Sequence, residues 1–134
     1  MHLKLLPGLA APAPGTRVDW GRLEGAAPGL AIAELAAAAP GPVLVIARGS
    51  REAERLATEA AFFAGPGLPV REFPGHETLP YDPFSPHPDL VSQRLEALAA
   101  LPDLRRGVLV VALEALIPRL PPRRYVAAHT LVLN

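Results

Sequence analysis

Two stretches of uninterrupted apolar residues constrain this chain more than any other feature: Val43-Leu44-Val45-Ile46-Ala47, and the run from Gly107 to Leu113. A strand with one face in water alternates apolar and polar side chains. A strand apolar throughout has to be buried on both faces, the situation of a parallel sheet covered by helices. The intervening segments fit that plan. Leu30 to Ala39 reads as an alanine-rich helix, started by Pro28, whose missing N–H costs nothing at a helix start, and stopped by Pro40-Gly41-Pro42. Ser50 is placed to cap a second helix, in which Ala53, Leu56, Ala57, Ala60 and Phe63 recur on one face before Gly65-Pro66-Gly67 ends it. Leu68 to Phe73 is a further strand candidate. Asp89 opens a helix bearing Leu90, Arg94, Leu95, Leu98 and Leu101. A helical turn over Glu114 to Leu120 and a last strand over Val126 to Leu133 complete the reading. Strands alternating with helices predict an α/β fold, a parallel sheet flanked by helices.

The length of 134 residues suits one domain, and 50% hydrophobic against 19% charged residues is enough to build its core. A formal net charge of zero gives no overall positive field for gathering phosphates and argues against global disorder. The absence of cysteine excludes disulfides, thiolate metal sites and cysteine nucleophiles. The start of the chain is too short in apolar residues for a signal peptide, and no window approaches a membrane span, so a cytoplasmic location is expected. Lys4 is the one lysine among 13 basic residues, a bias that fits a GC-rich genome and also a thermophile. Residues 1–19 read as an N-terminal leader and 20–134 as the α/β domain.

Three places invite chemistry. The turn before the first helix, Gly25-Ala26-Ala27-Pro28-Gly29, occupies the position of a phosphate loop. Such a loop needs a lysine for the β/γ-phosphates and a hydroxyl for Mg²⁺, and here Pro28 and Gly29 stand in those places. Neither nucleotide nor any other cofactor is expected. The second is the proline-rich run His76-Glu77-Thr78-Leu79-Pro80-Tyr81-Asp82-Pro83-Phe84-Ser85-Pro86-His87-Pro88-Asp89. Its histidines and carboxylates lack the helical spacing of a ligand pair, so no metal is expected; packing of the aromatics onto the domain and recognition of a partner both stay open. The third is a basic rim, Arg119 with Arg123-Arg124, preceded by Arg105-Arg106. Arginine forks suit phosphates and carboxylates, but compensation of helix C-termini and a solvated surface explain them too.

The run from His76 to Asp89, continued by Leu90-Val91-Ser92-Gln93-Arg94-Leu95, resembles the N-terminal module of the bacterial transcription-repair coupling factor family, Mfd. That family carries a W-E-T-L-P-Y-D-x-F-S-P-H-x-D signature, and His76 stands where the tryptophan is usual. Gly25-Ala26-Ala27 with Ala33-Glu34-Leu35, Gly41-Pro42-Val43, and Arg119-Leu120-Pro121-Pro122 before His129-Thr130-Leu131-Val132-Leu133 are similar as well. The resemblance covers roughly residues 20 to 133.

The resemblance implies a degenerate, ATPase-like fold of the kind found in the first domain of the excision-repair protein UvrB. It implies a site without nucleotide, and a proline loop in place of a DNA-gripping hairpin. The function implied is that of a non-catalytic module which helps recruit UvrA in transcription-coupled nucleotide excision repair, while other parts of the factor engage RNA polymerase and DNA and drive an ATP-dependent translocase. The family's main UvrA contacts lie in a following domain, so no UvrA-binding residue is carried over here, and the chain is expected to stop where that domain begins. An active nucleotide-dependent helicase or hydrolase domain and a free-standing interaction protein are the alternatives.

Overall fold

The computed structural model describes residues 12–75 and 87–129. In chain order the elements are α1 (Ala27–Ala38), β1 (Val43–Ala47), α2 (Ser50–Ala64), β2 (Val70–Phe73), α3 (Pro88–Ala100), a 3₁₀ turn (Leu101–Asp103), β3 (Val108–Ala112), α4 (Leu113–Leu116) and α5 (Arg123–His129). The three strands form one parallel sheet in the order β1-β3-β2. The α/β reading therefore holds.

Register sorts the strand side chains between two cores. Val43 pairs with Val108, Val45 with Val110 and Ala47 with Ala112, and these side chains face α1 and α2. Ala36, Ala53 and Leu56 meet them there. Alanine at these helix positions lets the helices lie close to the sheet and to each other, so that Val108 and Val110 are fully buried. On the other face Phe73, Leu109 and Val111 pack under Ala97, Leu98 and Ala115 of α3 and α4.

Burial on both faces describes β3 but not β1. Leu44 and Ile46, beside Leu109 and Val111 in register, are 56% and 54% exposed. The helices of that face lie over β2 and β3, and nothing among the described residues covers β1 there.

Local signals were mostly sound. Pro28 sits in the first turn of α1, and Gly65 caps α2 at φ 65°, a conformation that glycine adopts without strain. Phe63 is the exception on the α2 face, being partly exposed while Ala53, Leu56 and Ala60 are buried. Two caps differ from expectation. Gly49, not Ser50, is the N-cap of α2, and His87, not Asp89, is that of α3, its ring nitrogen accepting from the Asp89 N–H. The helical turn expected over Glu114 to Leu120 is the shorter α4. The last strand is corrected: residues up to His129 form α5, because Pro122 offers its carbonyl to the N–H groups of Tyr125 and Val126 and so starts a helix. Residues 130–133 of that expected strand lie outside the described residues.

Candidate functional site

In open α/β sheets ligands settle at the carboxyl ends of strands where neighbouring connections leave toward opposite faces. Here that place is between β1 and β3: β1 leads into α2 on one face, and β3 into α4 on the other. The N-terminus of α2 would be the natural anion seat. It is occupied by the protein's own carboxylate. Glu114 Oε1 accepts from the Ser50 N–H at 3.0 Å and from the Ser50 hydroxyl at 2.8 Å. Hydrogen bonds from its own backbone and from the Ser50 hydroxyl hold the Glu114 carboxyl below the usual range. One turn away, Arg48 meets Glu52 at 3.1 Å, and its guanidinium and backbone N–H together lower the Glu52 carboxyl. Gly75 closes the third side, for a side chain there would stand 3.0 Å from the Ser50 hydroxyl.

The loop at Gly25, Ala26, Ala27, Pro28 and Gly29 lies at the other helix start. Gly25 takes φ 58°, and the Ala27 N–H is turned back onto the Glu24 carbonyl at 3.1 Å. Ala26, the N-cap of α1, supplies no side-chain cap. Beneath the first turn runs α2. Gly29 is buried against it so tightly that a Cβ would fall 2.3 Å from the Cβ of Glu59 and 3.1 Å from its Oε2. That oxygen is buried with no hydrogen-bond partner among the described residues, while Oε1 accepts from Arg55 at 2.9 Å. Arg55 in turn donates to the Gly25 carbonyl at 3.3 Å. A carboxylate pressed under this turn opposes a phosphate by charge, and Arg55, the cation that reaches the Gly25 carbonyl, is paired with that carboxylate.

Most of the family-motif run, from His76 through Pro86 (His76, Glu77, Thr78, Leu79, Pro80, Tyr81, Asp82, Pro83, Phe84, Ser85), lies outside the described residues. Its downstream end is described, as are the residues just before it. At the downstream end His87 and Asp89 meet at 3.4 Å on the surface. Just before the run Arg94 reaches back from α3, lays its guanidinium 4.2 Å over the Phe73 ring and donates from Nη1 to the Pro74 carbonyl. The residue is only 7% exposed, and burial lowers its pKa. Arg94 thus fixes Phe73 and Pro74 at the end of β2, a role that a charged residue inside an otherwise apolar helix series could have signalled. Glu114 was equally missed; its signal was a carboxylate directly after a buried strand.

The basic rim does not act as a unit. Arg106 donates to the Ala37 carbonyl at 2.7 Å in the last turn of α1, which is the helix C-terminal compensation expected of it. Arg123 and Arg124 instead open α5, where the helix dipole is unfavourable to cations, so that explanation fails for them. With Leu98, Leu101, Leu120 and Val126 they line a shallow hollow, and Arg119 is exposed nearby in sequence. Among the described residues there is no group of His, Asp and Glu able to hold a metal ion, and no helix long and apolar enough to cross a membrane.

No family model matches the chain. Curated relatives do. It is 42% identical over 114 residues to the transcription-repair-coupling factor of Escherichia coli, an alignment covering 85% of this chain and 10% of that protein. The protein of the same name from Haemophilus influenzae is 32% identical over 105 residues, covering 78% of this chain and 9% of the relative. That of Myxococcus xanthus is 35% identical over 114 residues, covering 81% and 10%. The chain therefore spans about a tenth of the length of these relatives.

Proposed function

The chain belongs to the transcription-repair-coupling factor family, and we propose that this segment serves it as a non-catalytic, UvrB-like module rather than as a motor. The observation that carries the reading is the turn at Gly25 to Gly29. It lacks the lysine and hydroxyl that position and neutralise nucleotide phosphates, and it lies over the Glu59 carboxylate. The filling of the α2 N-terminus by Glu114 supports the same conclusion, because the alternative anion seat is taken as well.

In this reading the segment is a cytoplasmic scaffold. It holds a neighbouring domain of the full-length factor that contacts UvrA, while ATP-driven translocation on DNA and engagement of stalled RNA polymerase belong to other parts. The structural investment supports a rigid support: Pro74 at the end of β2 is pinned by Arg94, and α1 and α2 are locked at Gly29.

Two measurements test it. Calorimetric titration of the chain with ATP–Mg²⁺ is expected to give no binding heat, and micromolar binding would overturn the non-catalytic reading. In a pull-down at matched concentration and salt, UvrA is expected to be retained by the full-length factor and weakly or not at all by this chain. Equal retention would place the contact within the chain.

A further inference from the structure

The outer edge of β2 carries features that neither the loop nor the motif run uses. Among the described residues β2 pairs only with β3, so one side of its backbone from Val70 to Phe73 has no strand partner. Two hollows lie along that edge. One, of about 950 Å³, is at the amino end of β2, with Pro69, Leu95 and Leu104 as its apolar floor and Arg71, Arg105 and His129 at its rim. The other, of about 490 Å³, is at the carboxyl end and is lined by Glu54, Glu72, Glu96 and Gln93. Both hollows include Arg71 and Glu96, so they join into one trough.

Charge changes sign along the trough. Arg106 also lines the amino end but is committed to the Ala37 carbonyl, and Asp103 is the acidic residue there besides the shared Glu96. Arg71 and Arg105 make no ion pair among the described residues. At the other end burial, then the neighbouring Glu54, raises the pKa of Glu72.

We propose that the edge of β2 accepts an extended protein segment as an added strand, with its acidic end beside Arg105 and His129 and its basic end beside Glu54 and Glu72. Main-chain hydrogen bonding to an open strand edge supplies affinity, and pockets for alternate side chains supply selectivity. The apolar floor takes alternate side chains of the guest, and the graded charges set its direction. A nucleic-acid backbone suits the trough less well, since its phosphates would run onto three glutamates and, among the described residues, no Phe, Tyr or Trp lines the trough for stacking. The inference is independent of the recruitment role above, because it needs neither UvrA nor nucleotide.

The test uses two fluorescein-labelled peptides with alternating Val-Thr cores, one carrying glutamates at its amino end and lysines at its carboxyl end, the other reversed. One of the two is expected to bind the chain saturably and to slow amide hydrogen exchange across Val70–Phe73. A scrambled peptide of the same composition is expected to bind weaker by roughly fivefold or more, as is the matched peptide to Glu54→Lys or Arg105→Glu. Replacing the peptide's lysines by glutamates should restore binding to Glu54→Lys. Both substituted residues are exposed, so folding is not at stake. Absence of saturable binding by either peptide, or binding indifferent to both charge reversals, overturns the proposal. So does binding of single-stranded oligothymidylate that depends on Arg105, which would make the trough a nucleic-acid surface.

Discussion

Glu114 and Ser50 are 64 residues apart in sequence, yet one carboxylate oxygen of Glu114 accepts both the backbone N–H and the hydroxyl of Ser50. The contact ties the start of α2 to the end of β3, across the crevice where a ligand of an α/β sheet would sit. It converts an anion site into an internal cross-link.

Glu114→Gln tests that cross-link through pH. The folded carboxyl is held below its unfolded value of about 4.3, so its stabilisation is present above that pH and is lost as pH falls through the lower folded value. The variant should be less stable than the parent at neutral pH, and the gap should shrink on acidification. Urea unfolding at a series of pH values reads it; a gap that stays constant would mean the carboxylate charge contributes nothing.

Glu72 should behave in the opposite sense. Burial, then the neighbouring Glu54, raises its folded pKa, so the favourable contribution of its protonated form is complete below the unfolded value and lost as pH rises through the folded one. Glu72→Gln is therefore expected to exceed the parent in stability at neutral pH and to lose that advantage in acid. The same urea series would show the two variants diverging from the parent in opposite directions.

Gly29→Ala reverses an ordinary rule. Within a helix, replacing glycine by alanine usually stabilises by about 0.5–1 kcal/mol. Here the new Cβ would lie 2.3 Å from that of Glu59, and α1 and α2 would have to separate. A destabilisation of about 1–3 kcal/mol is expected from overpacking. A rise in thermal midpoint would show that the helices part without cost.

Arg94→Ala removes both the stacking on Phe73 and the bond to the Pro74 carbonyl. The expected cost is about 2–3 kcal/mol. Arg94→Lys should recover only part of it, since an ammonium keeps the charge but not the flat, forked guanidinium. Equal stability of the lysine variant and the parent, by chemical unfolding, would mean that charge alone matters.

Much of the architecture was written in local sequence. Apolar runs at Val43 and Gly107, Pro28 at a helix start and Gly65 at a helix end are local signals, and local sterics and hydrophobic patterning are sufficient to specify strands, helices and a parallel sheet between them. The absence of lysine and hydroxyl from the turn at Gly25 to Gly29 was likewise plain in the residue types. Proximity between distant segments was not. That Glu114 would serve Ser50, that Glu59 would lie under Gly29 and that Arg94 would clamp Pro74 depend on how helices cross the sheet, which no residue spacing encodes. The same holds for β1, whose apolar side chains looked buried on both faces: a strand's composition records that it prefers to be covered, and only the placement of the surrounding helices decides which of its faces is. At Val126 the apolar pattern suited a strand, and the helix won where the Pro122 carbonyl takes the N–H groups of Tyr125 and Val126.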